Sequence, residues 1–266
     1  MPCCHDGLSA VLIERAGFPA TFMSGFAVSA SYGLPDTQLL GFAEMRDAAS
    51  KVASSISIPV IADGDTGYGN AINVKRTIRG YQQAGVACIM LEDQVAPKRC
   101  GHTRGKQVVG KEEAMARVQA AVDAREEHGL DILIMARTDA RAIDGIDSAI
   151  ERCKGFVDIG ADITFLEAPQ TVEEMQRYCA EVPGFKMANM LENGITPVLP
   201  TEQLEDIGFK IAAYPFALLN ASIVGMAEAL ETLKKGKSPE NLPFKELQDI
   251  VGFTAYFQEE EKYATK

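Results

Sequence analysis

The chain has 266 residues, 47% hydrophobic and 24% charged, an ordinary globular composition long enough to bury a large core, which excludes a small scaffold stapled by disulfides or metals. Lys and Arg number 26 against 37 Asp and Glu, a net charge of −11, so the surface repels nucleic-acid phosphates and anionic lipid headgroups. No apolar run approaches the ~20 residues of a membrane-spanning helix.

Short apolar runs recur along the chain. After a truncated first strand at 1–4 they lie at Ala20–Ser24, Ile58–Ala62, Ala87–Leu91, Ile132–Ala136, Ile163–Leu166, Lys186–Met190 and Phe209–Ala213. Continuous apolar runs mark strands buried on both faces. Between them Met115, Val118 and Val122, and again Met175, Tyr178 and Cys179, repeat at helical spacing, while Glu112 and Glu113 suit a first helical turn. Gly17, Gly85, Gly129, Gly160, Gly184 and Gly208 stand just ahead of runs, where a helix C-cap feeds the next strand. Eight strands alternating with helices over ~250 residues predict an α/β fold, a (β/α)8 barrel of TIM type. A doubly wound sheet has less support, because Gly64-Asp65-Thr66-Gly67-Tyr68-Gly69 lacks the order of a dinucleotide-binding turn. The catalytic barrel is expected over residues 1–235. Lys234–Pro239 then reads as a hinge and Phe244–Tyr263 as one or two helices of a tail, 236–266, that packs on a neighbouring subunit.

The six cysteines contain no Cys-x-x-Cys pair, which predicts free thiols in a reducing compartment. With no charged and apolar leader at its start, the chain reads as a soluble intracellular protein. The cytoplasm is the expected compartment, or a plastid or mitochondrion if a targeting segment has been removed.

In a barrel the C-terminal ends of the strands converge on one face, so the polar residues closing each run belong together. They are Ser24-Gly25, Asp63-Gly64-Asp65, Glu92-Asp93, Arg137-Thr138-Asp139, Glu167 and Asn189. Two carboxylates ~4 Å apart repel by about 4 kcal/mol at an effective dielectric of 20, so Asp63, Asp65 and Glu92 call for a cation or for protons. Hard oxygen donors favour Mg²⁺, with Mn²⁺ as a substitute. A lone Asp-x-Asp is usually a solvated turn; its place behind a buried strand, with Glu92 behind the next, favours the metal. From Gln94 to Lys106 runs a long connection dense in cations, with Cys100 and two glycines. It reads as a lid, although spacing alone allows a basic surface loop with an incidental cysteine. As a lid, its cations are expected to lower the Cys100 pKa, making the thiol a proton donor or acceptor at a carbanion.

These residues resemble the isocitrate lyase/phosphoenolpyruvate mutase superfamily. Lys98-Arg99-Cys100-Gly101-His102 looks like the signature of its lyase branch, and Asp63 to Gly69 like its metal loop. Leu91-Glu92-Asp93-Gln94, Ser24-Gly25, Gly33 to Asp36, Ala136 to Asp139 and Asn189-Met190 extend the likeness over most of the chain. The sequence is similar in particular to members labelled carboxyvinyl-carboxyphosphonate phosphorylmutase-like and to methylisocitrate and dimethylmalate lyases. The resemblance implies a Mg²⁺-dependent barrel acting on small 2-oxo or 2-hydroxy acids through an enolate-like species. By it, Ser24 and Gly25 bind a substrate carboxylate, Asp36 lies near the site, and Asp63, Asp65 and Glu92 hold the metal directly or through water. Arg137 pairs with a carboxylate, and Glu167, Asn189, Gly101 and Pro215 complete the pocket. Lys98, Cys100 and His102 arrive with the closing loop, Cys100 as the acid that protonates a departing carbanion.

The cysteine motif implies a carbon–carbon lyase for a 2-methylisocitrate- or 2-alkylmalate-like acid. The phosphorylmutase likeness keeps phosphonomutase chemistry at a phosphorus–carbon bond as an alternative, and a non-catalytic metabolite-binding barrel is a third reading. Tyr214-Pro215 resembles the methylisocitrate and dimethylmalate lyases rather than the oxaloacetate hydrolases. The family has a helix before strand 1, whereas this chain opens Met1-Pro2-Cys3-Cys4, which implies a barrel floor left open or a shortened chain. The family also exchanges its last barrel helix between subunits, which implies a homodimer or homotetramer with swapped C-terminal helices.

Overall fold

A computed structural model describes residues 1–264. Eight strands alternate with helices: β1 (Cys3–Cys4), α1 (Gly7–Arg15), β2 (Thr21–Met23), α2 (Gly25–Ser31), α3 (Phe42–Ser55), β3 (Val60–Asp63), α4 (Ala71–Gln83), β4 (Cys88–Glu92) and α5 (Lys111–His128). There follow β5 (Leu133–Thr138), a short 3₁₀ turn (Ala140–Ala142), α6 (Ile146–Ile159), β6 (Ile163–Leu166), α7 (Val172–Glu181), β7 (Phe185–Asn189), α8 (Thr201–Ile207) and β8 (Ile211–Ala213). The strands are parallel and hydrogen-bonded in sequence order from β1 to β8. This is the (β/α)8 barrel that the alternation of apolar runs predicts.

Local chemistry starts and stops the helices where the sequence punctuates them. Asn70 caps α4 by accepting from the amides of Ile72 and Asn73 at 3.0 and 3.3 Å, and Asp6 caps α1 through the Ser9 amide. At the other ends, Gly129, Gly160 and Gly208 close α5, α6 and α8 in the left-handed conformation, which glycine adopts without the Cβ penalty.

Every strand sends a side chain inward to one core: Cys3, Phe22, Ile61, Cys88, Met90, Met135, Ile163, Phe165, Met187 and Ala213. Outside the sheet, Met175, Tyr178, Leu204 and Phe209 join Leu166 and Met190 to hold the later helices on the barrel. β1 is the shortest strand, and the seam beside it closes through backbone bonds. The amino group of Met1 donates to Ala212 O at 2.7 Å, Tyr214 N to Met1 O at 3.0 Å and Cys3 N to Tyr214 O at 3.3 Å. Met1 and Ile211 pack against the inner core.

The chain divides into two compact units, Met1–Ala217 and the segment from Leu218 onward. The second carries α9 (Ala217–Lys234) beyond its first residue, α10 (Phe244–Ile250) and α11 (Phe253–Tyr263). The unit boundary falls one helix before the expected limit at residue 235. The last two positions of the expected tail, 265 and 266, lie outside the described residues. Among the described residues no helix is long and apolar enough to cross a membrane, and all six cysteines are free.

Candidate active site

The loop from Asp63 to Gly69 is built on the end of β3. Asp63 is buried, and both of its carboxylate oxygens accept backbone amides, Oδ1 from Asp65 at 3.0 Å and Oδ2 from Gly25 at 3.1 Å. A Cβ on Gly25 would stand 2.5 Å from Asp63 Oδ2, so this approach requires glycine. The buried Tyr81 hydroxyl donates to Asp63 O at 2.9 Å, and Glu92 N to Asp65 O at 2.9 Å. Asp65 itself sits at φ 48°, a left-handed conformation that aspartate tolerates better than most residues. Ser24 is the N-cap of α2, accepting from the Ala27 amide at 3.3 Å, and its O–H remains available to donate.

Charge is concentrated beneath the cavity. Lys98 Nζ lies 2.6 Å from Asp36 Oδ1 and 2.9 Å from Asp65 Oδ1. Arg137 Nε reaches Asp139 Oδ2 at 2.8 Å and Glu92 Oε2 at 3.3 Å, and Nη2 reaches Glu167 Oε2 at 3.1 Å. The guanidinium also lies over the Phe165 ring, 5.2 Å from its centroid. His102 Nε2 is 2.9 Å from Glu167 Oε1, and Asn189 Nδ2 donates to the same oxygen at 3.5 Å.

These partners decide the carboxyl states. Burial pushes Asp65 up to about 6 despite Lys98 beside it, and burial holds Glu92 well above the usual carboxylate range against Arg137 and Lys98. For Glu167 burial is outweighed by Arg137 and His102, and its carboxyl is held low. Asp139, gripped by Arg137 and Lys106, is likewise held below its ordinary value although burial opposes it.

The donor set fits a divalent cation. Asp36, Asp63, Asp65 and Glu92 surround one ammonium, Lys98, and the buried atoms Asp65 Oδ1 and Glu92 Oε1 lack an aligned hydrogen-bond donor. The 2.9 Å contact of Lys98 with Asp65 Oδ1 is thus a charge contact without hydrogen-bond alignment. Among the described residues no three His, Cys, Asp or Glu side chains are gathered tightly enough to hold an ion alone. The arrangement suits Mg²⁺, which takes one or two carboxylates and keeps several waters.

Above these groups one cavity is lined by Ser24, Asp36, Asp63, Lys98, Cys100, Gly101, His102, Arg137, Glu167, Asn189 and Pro215, together with an apolar wall. Of the site residues expected from the sequence, Gly25, Asp65 and Glu92 do not line it; they hold those that do. The apolar wall comes from Phe22, Met90, Phe165 and Met187 below and from Phe26, Leu191 and Phe216 near the mouth. Phe26 and Phe216 pack with ring centroids 4.4 Å apart.

The connection between β4 and α5 is folded over this cavity. Gln94 binds both backbone groups of Arg99, accepting from its N at 3.0 Å and donating to its O at 2.9 Å, and Gln38 Oε1 accepts from Lys98 N at 3.0 Å. A Cβ on Gly101 would collide with the Arg137 guanidinium and the Glu167 side chain, so the loop apex rests directly on both. The expected lowering of the Cys100 pKa is not found: burial pushes the thiol up, and Asp36 and Glu167 add to it against Arg137. The cations that were to lower it are engaged elsewhere, Lys98 by Asp36 and Asp65.

Several supporting residues have no role assigned in the sequence reading. Asp93 accepts from Thr138 Oγ1 at 2.6 Å, Asp139 N at 2.9 Å and Arg152 Nη1 at 2.9 Å, and so sets the end of β5 that carries Arg137. Asp93 and Asp139 are grouped there with the polar residues at the strand ends, Asp93 beside Glu92 and Asp139 two residues after Arg137. Gln38 and Lys106 carry no such signal.

Comparison with known proteins agrees with this geometry. The family described as phosphoenolpyruvate phosphomutase matches residues 1–234. The chain is 44% identical to 2,3-dimethylmalate lyase of Eubacterium barkeri, over 99% of this chain and 93% of that protein. It is 40% identical to the chloroplastic carboxyvinyl-carboxyphosphonate phosphorylmutase of Arabidopsis thaliana, over 99% and 80%. Among solved structures, oxaloacetate acetylhydrolase with 3,3-difluorooxalacetate superposes with a TM-score of 0.96 at 34% identity, covering 100% of this chain and 92% of that one. Phosphonopyruvate hydrolase in complex with oxalate and Mg²⁺ superposes with a TM-score of 0.86 at 28% identity, covering 98% and 93%.

Proposed function

The chain belongs to the phosphoenolpyruvate phosphomutase family, and from that premise we propose that it is a Mg²⁺-dependent lyase. It cleaves a carbon–carbon bond of a small 2-hydroxy di- or tricarboxylate of the 2-alkylmalate or 2-methylisocitrate kind. The observation that carries this reading is the placing of the Cys100 thiol, kept protonated by burial, in one cavity with Arg137, Glu167 and an apolar wall. A lyase needs an acid for the carbon that departs with the bonding pair. Its substrate needs a cationic clamp for a carboxylate, and an alkyl substituent needs an apolar surface.

Asp63, Asp65 and Glu92 would hold Mg²⁺, directly or through water, and the ion when bound would supply a Lewis acid for negative charge on the substrate's 2-hydroxyl oxygen as its proton leaves. Arg137 holds a carboxylate, its own orientation set by Asp139, Glu92 and Glu167. Ser24 and Asn189 orient the substrate, and Gly101 leaves room for the loop apex to come down on Arg137. The 2-hydroxyl gives its proton to a carboxylate lining the cavity, and its oxygen becomes the carbonyl of the released 2-oxo acid. The carbon–carbon bonding pair leaves on the other carbon, to which Cys100 donates its proton, with His102 and Glu167 beside it. Water is kept out by the loop, which protects the enolate-like species.

The test is Mg²⁺-dependent release of 2-oxo acid from 2-alkylmalates, 2-methylisocitrate, isocitrate and oxaloacetate, with Cys100→Ser and Asp63→Ala as controls. Turnover lost in both variants supports the lyase. Reaction only with carboxyphosphonoenolpyruvate or phosphonopyruvate overturns it in favour of the phosphonomutase. Silence on all leaves a metabolite-binding barrel.

The enzyme is read as a soluble intracellular one, in keeping with its six free thiols. Its tail, 236–266, is taken to pack on a neighbouring subunit of a homodimer or homotetramer. Exposed Ile223, Val224, Met226, Leu230 and Leu233 on α9 and Phe244, Phe253, Tyr256 and Phe257 on α10 and α11 support this, since apolar surface of that extent marks an interface. Light scattering that returns a monomer at micromolar concentration would refute it.

A further inference from the structure

Lys106 is buried, belongs to the loop rather than to a strand, and takes no part in the chemistry above. Its ammonium bonds two acceptors of different origin. One is the carbonyl of Gly101, at the loop apex between Cys100 and His102. The other is Asp139 Oδ1, 2.9 Å away just beyond β5. The two oxygens of Asp139 are also the ones that grip Arg137, Oδ2 from Nε at 2.8 Å and Oδ1 from Nη2 at 3.1 Å. Asp139 is held from behind by Asp93, which accepts its backbone N–H at 2.9 Å. One ammonium therefore joins the loop apex to the carboxylate that aims the guanidinium. The apex has a second tie in that direction, His102 to Glu167, which meets Arg137 Nη2 at 3.1 Å, whereas Gln94 to Arg99 and Lys98 to Asp36 do not touch Arg137. Lys106 alone carries a full, permanent cation from the loop to the carboxylate that binds both Nε and Nη2.

We propose that Lys106 is a positioning residue that latches the closed loop over the cavity and, through Asp139, fixes Arg137 in its carboxylate-binding orientation, so that closing the loop and aiming the clamp are a single event. Loss of the ammonium frees the apex carbonyl and leaves the Asp139 carboxylate bound to Arg137 alone. A loop that opens more often is then coupled to a clamp that binds carboxylate less well. Arginine at 106 carries the charge and donors to reach both acceptors, whereas methionine fills the space with neither.

The latch concerns the loop and Arg137, and its first test does not depend on which substrate the enzyme cleaves. Arg99 and Arg104 are exposed on the loop, so tryptic cleavage after them, followed by mass spectrometry on the full chain, reports opening. Lys106→Met is expected to be cut there about tenfold faster than wild type and Lys106→Arg at nearly the wild-type rate. Oxalate with Mg²⁺ is expected to protect wild type well and Lys106→Met poorly. In turnover, Lys106→Met raises KM and lowers kcat by about tenfold each, and Lys106→Arg restores most of both. Should Lys106→Met fail to fold, Lys106→Gln takes its place with the same expectation. Cleavage at the wild-type rate in the folded variant overturns the proposal, as does acceleration shared equally by tryptic sites outside the loop. If no substrate is turned over, the lyase reading fails and the proteolysis still decides the latch.

Discussion

At the scale of single residues, the site is governed by which charges are already spent. Cys100 lies near several cations, yet burial and neighbouring carboxylates keep its thiol protonated. A protonated thiol suits an acid, and the expected pH profile follows. Activity persists through neutral pH and falls only as the thiol ionises, above its ordinary value of 9.0; Cys100→Ser removes that alkaline limb and lowers kcat by about 100-fold or more. Steady-state rates across pH 6 to 10.5 check both. Asp65 shows the opposite cost. Its carboxyl is pushed up to about 6, so ionising it at pH 7 burdens the metal-free protein. Asp65→Asn is expected to raise the metal-free melting temperature by a few degrees, corresponding to about 1 kcal/mol, while abolishing Mg²⁺-dependent turnover. Calorimetry of the metal-free variant beside a rate assay reads the two effects separately.

At the scale of elements, each strand end contributes by where its last residues are forced to point. The β3 end presents Asp63 because Gly25, Asp65 and Tyr81 bind its oxygens and its carbonyl. The β5 end presents Arg137 because Asp93 and Asp139 hold the following turn. The loop after β4 closes on these ends only because position 101 lacks a side chain. Gly101→Ala is therefore expected to leave folding intact, as its methyl clashes only in the closed loop, while kcat falls by about 100-fold. Unchanged circular dichroism and melting temperature together with the rate loss would establish this; wild-type turnover would show that the closed loop is not the working state. The strands themselves were legible in the sequence to within a residue or two, since a parallel barrel buries both faces of each strand and leaves uninterrupted apolar runs. The loop's contacts were not legible. Gln38 and Lys106 act across the fold, on Lys98 and on Asp139, and no local pattern gives them those partners.

At the scale of the whole molecule, a barrel whose active end gathers Asp36, Asp63, Asp65, Glu92, Asp139 and Glu167 around Lys98, Lys106 and Arg137 carries more negative charge than its own cations balance. Asp65 has a folded pKa above its ordinary 3.8, so the native state binds more protons than the unfolded one between that value and about 6. The corresponding stability is present at low pH and is lost as pH rises through the window. Mg²⁺ is accordingly expected to raise the melting temperature more at pH 7.5 than at pH 5.5, measured by calorimetry with the ion and with chelator. An equal shift at both values would mean that Asp65 is not part of the metal's charge balance.

The sequence by itself determined the barrel, the order of its strands and the identity of the residues at their ends, because burial and backbone geometry write themselves into local patterns of apolar runs, caps and glycines. The tertiary structure alone decided the protonation of Cys100, the engagement of Lys98 with Asp36 and Asp65, and the tie from Lys106 through Asp139 to Arg137. Those properties depend on distances between residues far apart in the chain and on how much water is excluded around them, and neither quantity has a local signature.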